Sequence, residues 1–263
     1  MANDSRGVLG RPAPPPDITV SYGDHPDQVI DVRLPPPGGE IRPIVIFVHG
    51  GFWRATWDRA HVGPLAADLA ARGWPVATVE YRRTGEDGGG WPGTLDDVAA
   101  GIAAACDLGS AVGLGESTGT ILAGHSAGGH LALWYAATHD ARGPCGPGAL
   151  LGVLALAPIA DLAEAYRLNL DEGAVAALLG GGPEQWPDRY ASADPIALDP
   201  PAGPVTLLHG TADAQVPIAQ SRAYAARSDV RAELVELPGV GHFELIDPDS
   251  SAWPTVLDAL RAG

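Results

Sequence analysis

The sequence predicts an α/β protein whose mostly parallel sheet is covered by helices on both faces. Short apolar or β-branched runs alternate along the chain with Ala-rich stretches of helical length, which is the pattern of such folds. Several runs, among them Pro43–Val48 (PIVIFV), are continuously apolar, as is expected of strands that are buried on both faces. The length of 263 residues, 46% of them apolar, suffices for one domain with a large core.

The individual elements follow from the same pattern. The first two predicted strands, Ile18–Tyr22 and Val29–Leu34, are half polar and suit an antiparallel edge of the sheet. Six further runs complete an eight-stranded sheet: Pro43–Val48, Val76–Tyr81, Thr120–Gly124, Leu150–Ala157, Val205–His209 and Ala232–Leu237. Helices are predicted at Ala60–Arg72, Leu95–Cys106 (entered by Thr94), Ser126–Thr138, Ile218–Arg227 and Trp253–Arg261.

Two segments lie outside this alternation. Residues 1–17, which include the proline-rich stretch Arg11–Pro16, are predicted to be a lead-in, and residues 18–263 a single domain. The stretch Asp161–Pro195 is polar and Gly-rich, so it is predicted to be an insertion with weak helical pieces.

The charge balance restricts the classes of partner. The chain has 16 Lys and Arg against 32 Asp and Glu, a formal net charge of −16. A surface this acidic repels phosphate backbones and anionic lipids, and no Lys/Arg run opposes that repulsion locally. We therefore expect neither nucleic acid nor a membrane as a partner, but a small molecule. A homodimer is compatible with these observations.

The cysteines and the N-terminus bear on the compartment. The two cysteines, Cys106 and Cys145, show no CxxC or other metal-ligand spacing, so neither a disulfide framework nor a zinc site is predicted. No apolar stretch approaches the ~20 residues that span a bilayer, and the N-terminus lacks the apolar region of a secretory signal. These features favour a cytoplasmic protein whose cysteines are reduced.

A candidate nucleophile lies where a predicted strand meets a predicted helix. Gly124-His125-Ser126-Ala127-Gly128 is a G-x-S-x-G sequence in the strand-to-helix context that gives this motif its meaning. The flanking glycines allow neighbouring backbone to approach closely, so the Ser126 hydroxyl would project over the carboxyl end of the sheet. Read alone, the serine could be an ordinary helix cap.

A second glycine motif follows the preceding central strand. Pro43–Val48 runs directly into His49-Gly50-Gly51-Phe52-Trp53. Acyl transfer develops negative charge on a carbonyl oxygen, which backbone N–H groups beside the nucleophile can stabilise. The N–H groups of Gly51, Phe52 and Ala127 are therefore the predicted oxyanion hole, although a Gly-Gly pair alone is also typical of a simple turn.

An acid and a base follow the last two strands. Val205–His209 leads to Asp213, and Ala232–Leu237 leads to His242, so both would lie at the carboxyl end of the sheet. A serine hydroxyl needs a base to accept its proton, and an imidazole needs a carboxylate to fix its tautomer. The order Ser126, Asp213, His242 is the one found in α/β-hydrolases.

From Ile18 to Leu260 the chain resembles the α/β-hydrolase superfamily on these motifs. HGGFW resembles the HGGxW loop of the kynurenine formamidase-like and related carboxylesterase branch, and GHSAGGH matches both that branch and the hormone-sensitive-lipase-like group. The third glycine of a lipase-type HGGG is Phe52 here. The resemblance implies an α/β-hydrolase fold, the triad and oxyanion hole named above, and no metal or organic cofactor. It also implies that the insertion Asp161–Pro195 is a small cap, because hydrolases of this fold carry a cap at this place, and a cap would control access to the site.

Other residues compete for the same roles. Asp161 also follows a strand and could be the acid, but its spacing suits a structural residue that opens the insertion. His125 and His130 flank Ser126 on its own segment, so packing or polar contacts are expected of them. His49 and His209 end strands and are expected to hydrogen-bond near the site.

Aromatic residues near the predicted site suggest an apolar pocket. Trp53, Trp91 and Phe243 are the candidate substrate contacts. Arg82 or Arg83 could bind a substrate carboxylate, although an ion pair with Asp96 or Asp97 at the next helix start is favoured by the helix dipole.

The sequence thus predicts a serine hydrolase that cleaves small carboxylic esters through an acyl-enzyme intermediate. An arylformamidase acting on an aryl formamide is the alternative with the same machinery. A non-catalytic binding protein that retains the fold is an alternative of another class, because fold alone does not establish catalysis.

Overall fold

The computed structural model describes residues 5–39, 42–111, 119–139 and 150–262. They form an eight-stranded sheet with the order β1-β2-β4-β3-β5-β6-β7-β8. Its strands are β1 Ile18–Ser21, β2 Val29–Arg33, β3 Ile44–Val48, β4 Val76–Val79, β5 Thr120–His125, β6 Leu150–Leu156, β7 Val205–Gly210 and β8 Ala232–Leu237. β1 and β2 are antiparallel to their neighbours, and the remaining strand pairs are parallel. The predicted sheet with its antiparallel edge is confirmed.

The helices connect the strands and cover the sheet. They are α1 Gly63–Ala71, α2 Gly93–Ala111, α3 Ala127–Thr138, α4 Leu162–Arg167, α5 Ala174–Leu179, α6 Pro187–Ala193, α7 Ala219–Ala225 and α8 Trp253–Ala262. Short 3₁₀ helices lie at Ser5–Gly10, Arg59–Val62 and Phe243–Ile246. In the part of the chain that the structure describes, no helix has the length and apolar character needed to cross a membrane.

Two apolar cores lie on opposite faces of the sheet. β3 shows why, since all five of its residues are buried and alternate in direction. Ile44, Ile46 and Val48 point into the core beneath α2 and α3. Val45 and Phe47 point into the core beneath α1 and α8. Val8, from the N-terminal 3₁₀ helix, is fully buried in this second core.

One helix is longer than predicted. α2 begins at Gly93, directly after Pro92, whose carbonyl accepts the N–H groups of Leu95 and Asp96. Thr94, expected to precede the helix, therefore lies inside its first turn. Its hydroxyl donates to the carbonyl of Arg82 at 2.5 Å instead of capping the helix.

The state of one cysteine differs from expectation. Cys106 is disulfide-bonded in the structure, whereas the spacing of the cysteines led us to expect reduced thiols. Cys145 lies outside the described residues. Disulfides persist in oxidising compartments, so the cysteines no longer favour the cytoplasm, and that location remains a prediction from sequence.

The division into a lead-in and one domain with a cap likewise remains a proposal.

Candidate active site

Ser126 occupies a strained turn between β5 and α3. Its φ of 57° and ψ of −119° lie far from the common regions for a residue with a side chain. Two glycines make the turn possible. A Cβ on Gly128 would lie 2.0 Å from the carbonyl oxygen of Val48, and one on Gly124 would lie 2.2 Å from that of Gly128. Such strain is typical of a nucleophilic serine on a strand-to-helix turn at the carboxyl end of a sheet.

Asp213 and His242 are joined by a hydrogen bond. His242 Nδ1 lies 2.6 Å from Asp213 Oδ2, and both side chains are almost completely buried. The other carboxylate oxygen of Asp213 accepts the N–H groups of Gln215 and Val216, both at 2.8 Å. Asp213 is thereby fixed from both sides, with its Oδ2 directed at the imidazole.

A second histidine reinforces this carboxylate. His209 Nε2 lies 3.3 Å from Asp213 Oδ2, while its Nδ1 lies 2.7 Å from the Ser221 hydroxyl. Burial opposes ionisation of Asp213, but the hydrogen bonds from His209 and His242 outweigh it and hold the pKa of Asp213 well below its usual value. The carboxylate is therefore charged, as the partner of a catalytic imidazole must be.

Ser126 and His242 line the same cavity of about 200 Å³. Among the hydrogen bonds of the described residues none joins the Ser126 hydroxyl to His242. Catalytic contacts are often long without substrate and shorten when it binds. The structure thus brings the three predicted residues to one place and shows the acid–base contact directly.

The loop after β3 has an unusual backbone, with three consecutive residues at positive φ. Gly51, Phe52 and Trp53 have φ values of 111°, 50° and 57°. A Cβ on Gly51 would lie 2.5 Å from that of Trp57, so this position needs glycine. Gly51 and Phe52 line the cavity, and within the described residues their N–H groups and that of Ala127 donate no hydrogen bond.

A buried hydrogen bond between a histidine and a glutamate supports this loop. His49 Nε2 lies 2.7 Å from Glu80 Oε1, both side chains being fully buried. Burial opposes ionisation of Glu80, but the imidazole of His49 and the nearby Arg83 lower the pKa of Glu80 to about 2. Tyr81 stacks on the His49 ring at 4.5 Å and donates its hydroxyl to the His49 carbonyl at 2.8 Å. The predicted polar role of His49 is therefore to hold the start of the loop.

The three aromatic candidates lie in different places. Phe243 lines the cavity. Trp53 is fully buried in the core, where its Nε1 donates to His130 Nδ1 at 3.2 Å. Trp91 packs on the same core and its N–H donates to the Leu178 carbonyl. Neither tryptophan lines the cavity, so we do not propose either as a substrate contact.

Several cavity residues were not among the sequence candidates. They share only their final position in space and come from distant parts of the chain: Arg6, Leu9, Trp57, His61, Asp171 and Gln215. Trp57 follows the HGGFW motif by four residues, so proximity could have indicated it. Arg6 and Leu9 belong to the segment predicted as a lead-in, and no sequence signal placed them here.

The competing assignments have structural explanations. Asp161 caps α4, since its side chain accepts the Glu164 N–H at 2.8 Å. Arg82 makes two hydrogen bonds of 2.7 Å with Asp97, the ion pair that was favoured over a substrate contact. Among the described residues no group of three or more His, Cys, Asp or Glu side chains is arranged to hold a metal ion.

His125 and His130 lie on either side of the serine turn, and both are buried. His130 Nδ1 accepts from Trp53 and its Nε2 faces the carbonyl of Ala193 at 3.0 Å, which fixes a neutral tautomer. Burial lowers the pKa of His130 to about 4. His125 packs against the His242 ring, with 4.4 Å between ring centroids, and lines the cavity.

The buried His130 gives a testable dependence of stability on pH. Its folded pKa of about 4 lies below the usual histidine value of 6.5, so its contribution to stability is complete above pH 6.5 and is lost as the pH falls toward 4. We expect the Tm to drop over this range. The variant His130→Gln, followed by thermal unfolding at pH 7 and pH 4.5, should show a smaller drop than the wild type, and an equal drop would contradict this role.

Comparisons with known proteins agree with this architecture. Residues 30–227 match the family model of BD-FAE. The chain is 30% identical to Esterase LipC of Mycobacterium tuberculosis over 87% of this chain and 60% of LipC. It is 28% identical to a probable isoprenylcysteine alpha-carbonyl methylesterase of Arabidopsis thaliana, over 88% of this chain and 58% of that protein. The chain thus spans about three fifths of these relatives.

Solved structures show the same fold. A truncated carbohydrate esterase from gut microbiota superposes with a TM-score of 0.80 at 20% identity, covering 95% of this chain and 98% of that one. A propionate-bound esterase from Thermogutta terrifontis gives a TM-score of 0.71 at 21% identity, covering 93% and 92%. The strand order, the serine turn and the family match lead to one conclusion: the chain is a member of the BD-FAE family and has the α/β-hydrolase fold.

Proposed function

We propose that the protein is a serine esterase that cleaves small carboxylic esters through an acyl-enzyme intermediate. The observation that carries this proposal is the 2.6 Å contact between Asp213 and His242, with His242 and the strained Ser126 lining one cavity. The relatives LipC and the methylesterase are named as esterases, which supports the same bond type. A binding protein would have no need for a charged Asp–His pair beside a strained serine.

The chemistry follows from the positions of these groups. Ser126 attacks the ester carbonyl, and His242 accepts the hydroxyl proton through Nε2, because Nδ1 is held by Asp213. His242 then returns this proton to the leaving alcohol as the bond to the acyl carbon breaks. A water molecule, activated by the same imidazole, releases the acid from Ser126. Asp213 stays ionised and stabilises the imidazolium in each step.

The developing oxyanion needs donors that have no other partner. The N–H groups of Gly51, Phe52 and Ala127 meet this condition among the described residues, and Gly51 and Phe52 border the cavity beside Ser126. Donors fixed before the reaction stabilise the transition state without reorganisation. We propose these three amides as the oxyanion hole.

The segment Asp161–Pro195 is proposed to act as a cap. It folds into α4, α5 and α6, and its Asp171 reaches the rim of the cavity. There Asp171 Oδ2 lies 2.5 Å from Arg54 Nε, which ties the insertion to the loop after β3. The insertion would thus limit the size of the group that enters.

The cavity dimensions predict the substrate range. About 200 Å³ with aromatic walls from Phe52, Trp57 and Phe243 suits a short acyl chain, where each buried methylene contributes about 0.8 kcal/mol until the space is filled. In a panel of p-nitrophenyl esters from acetate to octanoate, we expect kcat/KM to be highest at acetate to butyrate and to fall at least tenfold by octanoate.

The same panel includes N-formylkynurenine, which tests the arylformamidase alternative. We expect no hydrolysis of it above the rate of the Ser126→Ala variant. If N-formylkynurenine is the best substrate and the esters fail beyond acetate, the enzyme is a formamidase. If no member of the panel is cleaved, the esterase proposal fails.

A further inference from the structure

A second and larger cavity lies beside the proposed active site. It measures about 520 Å³ and is enclosed by the segment Leu9–Pro16, by β2 and β4, and by the stretch Thr56–Gly63. It shares Leu9, Trp57 and His61 with the cavity of Ser126, so these three residues form the partition between the two. Ser126 and His242 do not line it.

Arg33 is the unusual residue of this second cavity. Its side chain projects from β2, and the residue is only 9% exposed. Within the described part of the chain its guanidinium makes no hydrogen bond or ion pair, although a buried guanidinium ordinarily satisfies most of its five donors. Burial lowers the pKa of Arg33 below its usual value, which marks an incompletely compensated charge.

The nearest carboxylates are engaged elsewhere. Asp31 binds Arg59 through both of its oxygens, at 2.7 and 3.3 Å. Asp17 accepts the Leu34 N–H at 2.8 Å. Asp58 also borders the cavity, where its side chain accepts the Ala60 N–H at 2.9 Å. Asp31 and Asp17 contribute to the field at Arg33 without hydrogen-bonding to it.

The guanidinium of Arg11, which also lines the cavity, likewise has a carboxylate partner. Arg11 holds Asp247 through two hydrogen bonds of 2.6 and 3.0 Å. The cavity wall therefore contains three guanidinium groups, of which Arg11 and Arg59 already bind carboxylates in two-oxygen geometry. Arg33 presents the same donors to an empty volume, and a carboxylate is the group that matches their geometry.

The remaining wall indicates the body of a ligand. Trp57 is 38% exposed and lines the cavity together with Leu9, Ala13 and the rings of the proline stretch. Flat apolar surfaces of this kind favour an aromatic or compact aliphatic group over a sugar. Thr56 and Thr78 add hydroxyl groups to this wall.

We propose that this cavity is a binding site for a small carboxylate with an apolar body, whose carboxylate pairs with Arg33. The site is separate from the Ser126 cavity and does not depend on the proposed hydrolysis. The test uses benzoate as the probe and benzamide as its uncharged counterpart, titrated calorimetrically into the full-length chain. We expect saturable binding of one benzoate and at least tenfold weaker binding of benzamide.

Variants locate the bound probe. Arg33→Gln should weaken benzoate binding at least tenfold, and its Tm should not fall, because the substitution removes a buried charge that has no hydrogen bond. Arg222→Gln, which removes an exposed guanidinium paired with Glu236, is the matched control and should bind as the wild type does. Ser126→Ala should also retain full benzoate affinity, because the proposed site does not include Ser126.

A second variant tests the proposal even if Arg33→Gln does not fold. Ala60 is exposed and lines the cavity, so Ala60→Trp should fill it and abolish benzoate binding. Three results would each overturn the proposal. The first is equal affinity for benzoate and benzamide, and the second is unchanged benzoate binding in either cavity variant. The third is no benzoate binding to the wild type at roughly 20 mM, where even a weak interaction would be detected.

Discussion

Replacing Ser126 by alanine should reduce kcat for a p-nitrophenyl ester by about 10⁴-fold or more, because the remaining triad members cannot act without the nucleophile. The Tm should change little. Ser126 is buried, but its backbone turn is held by Gly124 and Gly128 and by the hydrogen bond from its N–H to the Leu156 carbonyl, all of which the alanine variant keeps. Steady-state kinetics and thermal unfolding measure the two effects separately.

The matched control is Ser228→Ala, because Ser228 is exposed in the loop after α7 and is not among the residues that line either cavity. We expect its activity to equal that of the wild type. Retention of a tenth of the activity in Ser126→Ala would exclude Ser126 as the nucleophile.

The second large effect is expected for Asp213→Asn, at about 10⁴-fold in kcat. The reason lies in how the carboxylate is held. Oδ1 accepts two backbone N–H groups, from Gln215 and Val216, so the amide oxygen of the asparagine would take that place. The NH₂ group would then face His242 Nδ1, which forces the imidazole into the tautomer that carries its proton on Nε2. In this tautomer His242 cannot accept the serine proton.

Asp161→Asn is the control for the acid. Asparagine caps a helix about as well as aspartate, so the cap on the Glu164 N–H should persist. We expect kcat within about twofold of the wild type, since surface substitutions away from the chemistry have small effects. A large loss in Asp161→Asn together with an active Asp213→Asn would transfer the acid role to Asp161.

The strands, the helices and the loops of the candidate site could be predicted because they depend on the pattern of neighbouring residues in the sequence. The apolar run of β3 and the strand-to-helix turn at Ser126 are visible in consecutive residues. In a parallel sheet, residues that follow the strands must meet at one edge, which placed Asp213 and His242 together. Their hydrogen bond confirms that this rule was sufficient here.

The cavity walls could not be predicted because they depend on side-chain direction and on distant contacts. Trp53 directly follows Phe52 and has a similar positive φ, yet Trp53 is buried in the core while Phe52 lines the cavity. Arg6 and Leu9 reach the cavity from the other end of the chain, held by the burial of Val8. Arg33 looks like an ordinary strand residue in sequence, and only the structure shows that its guanidinium makes no hydrogen bond to any of the described residues.

Labelling with a fluorophosphonate tests the central claim most directly. This reagent reacts with a serine that a histidine activates, at a site that stabilises the negative oxygen formed during the attack. After incubation with the wild-type chain, intact-mass measurement and peptide mapping should show one adduct, on the peptide that contains Ser126, and none on Ser126→Ala. An unlabelled wild type, or an adduct that persists in Ser126→Ala, would contradict the assignment of Ser126 as an activated nucleophile.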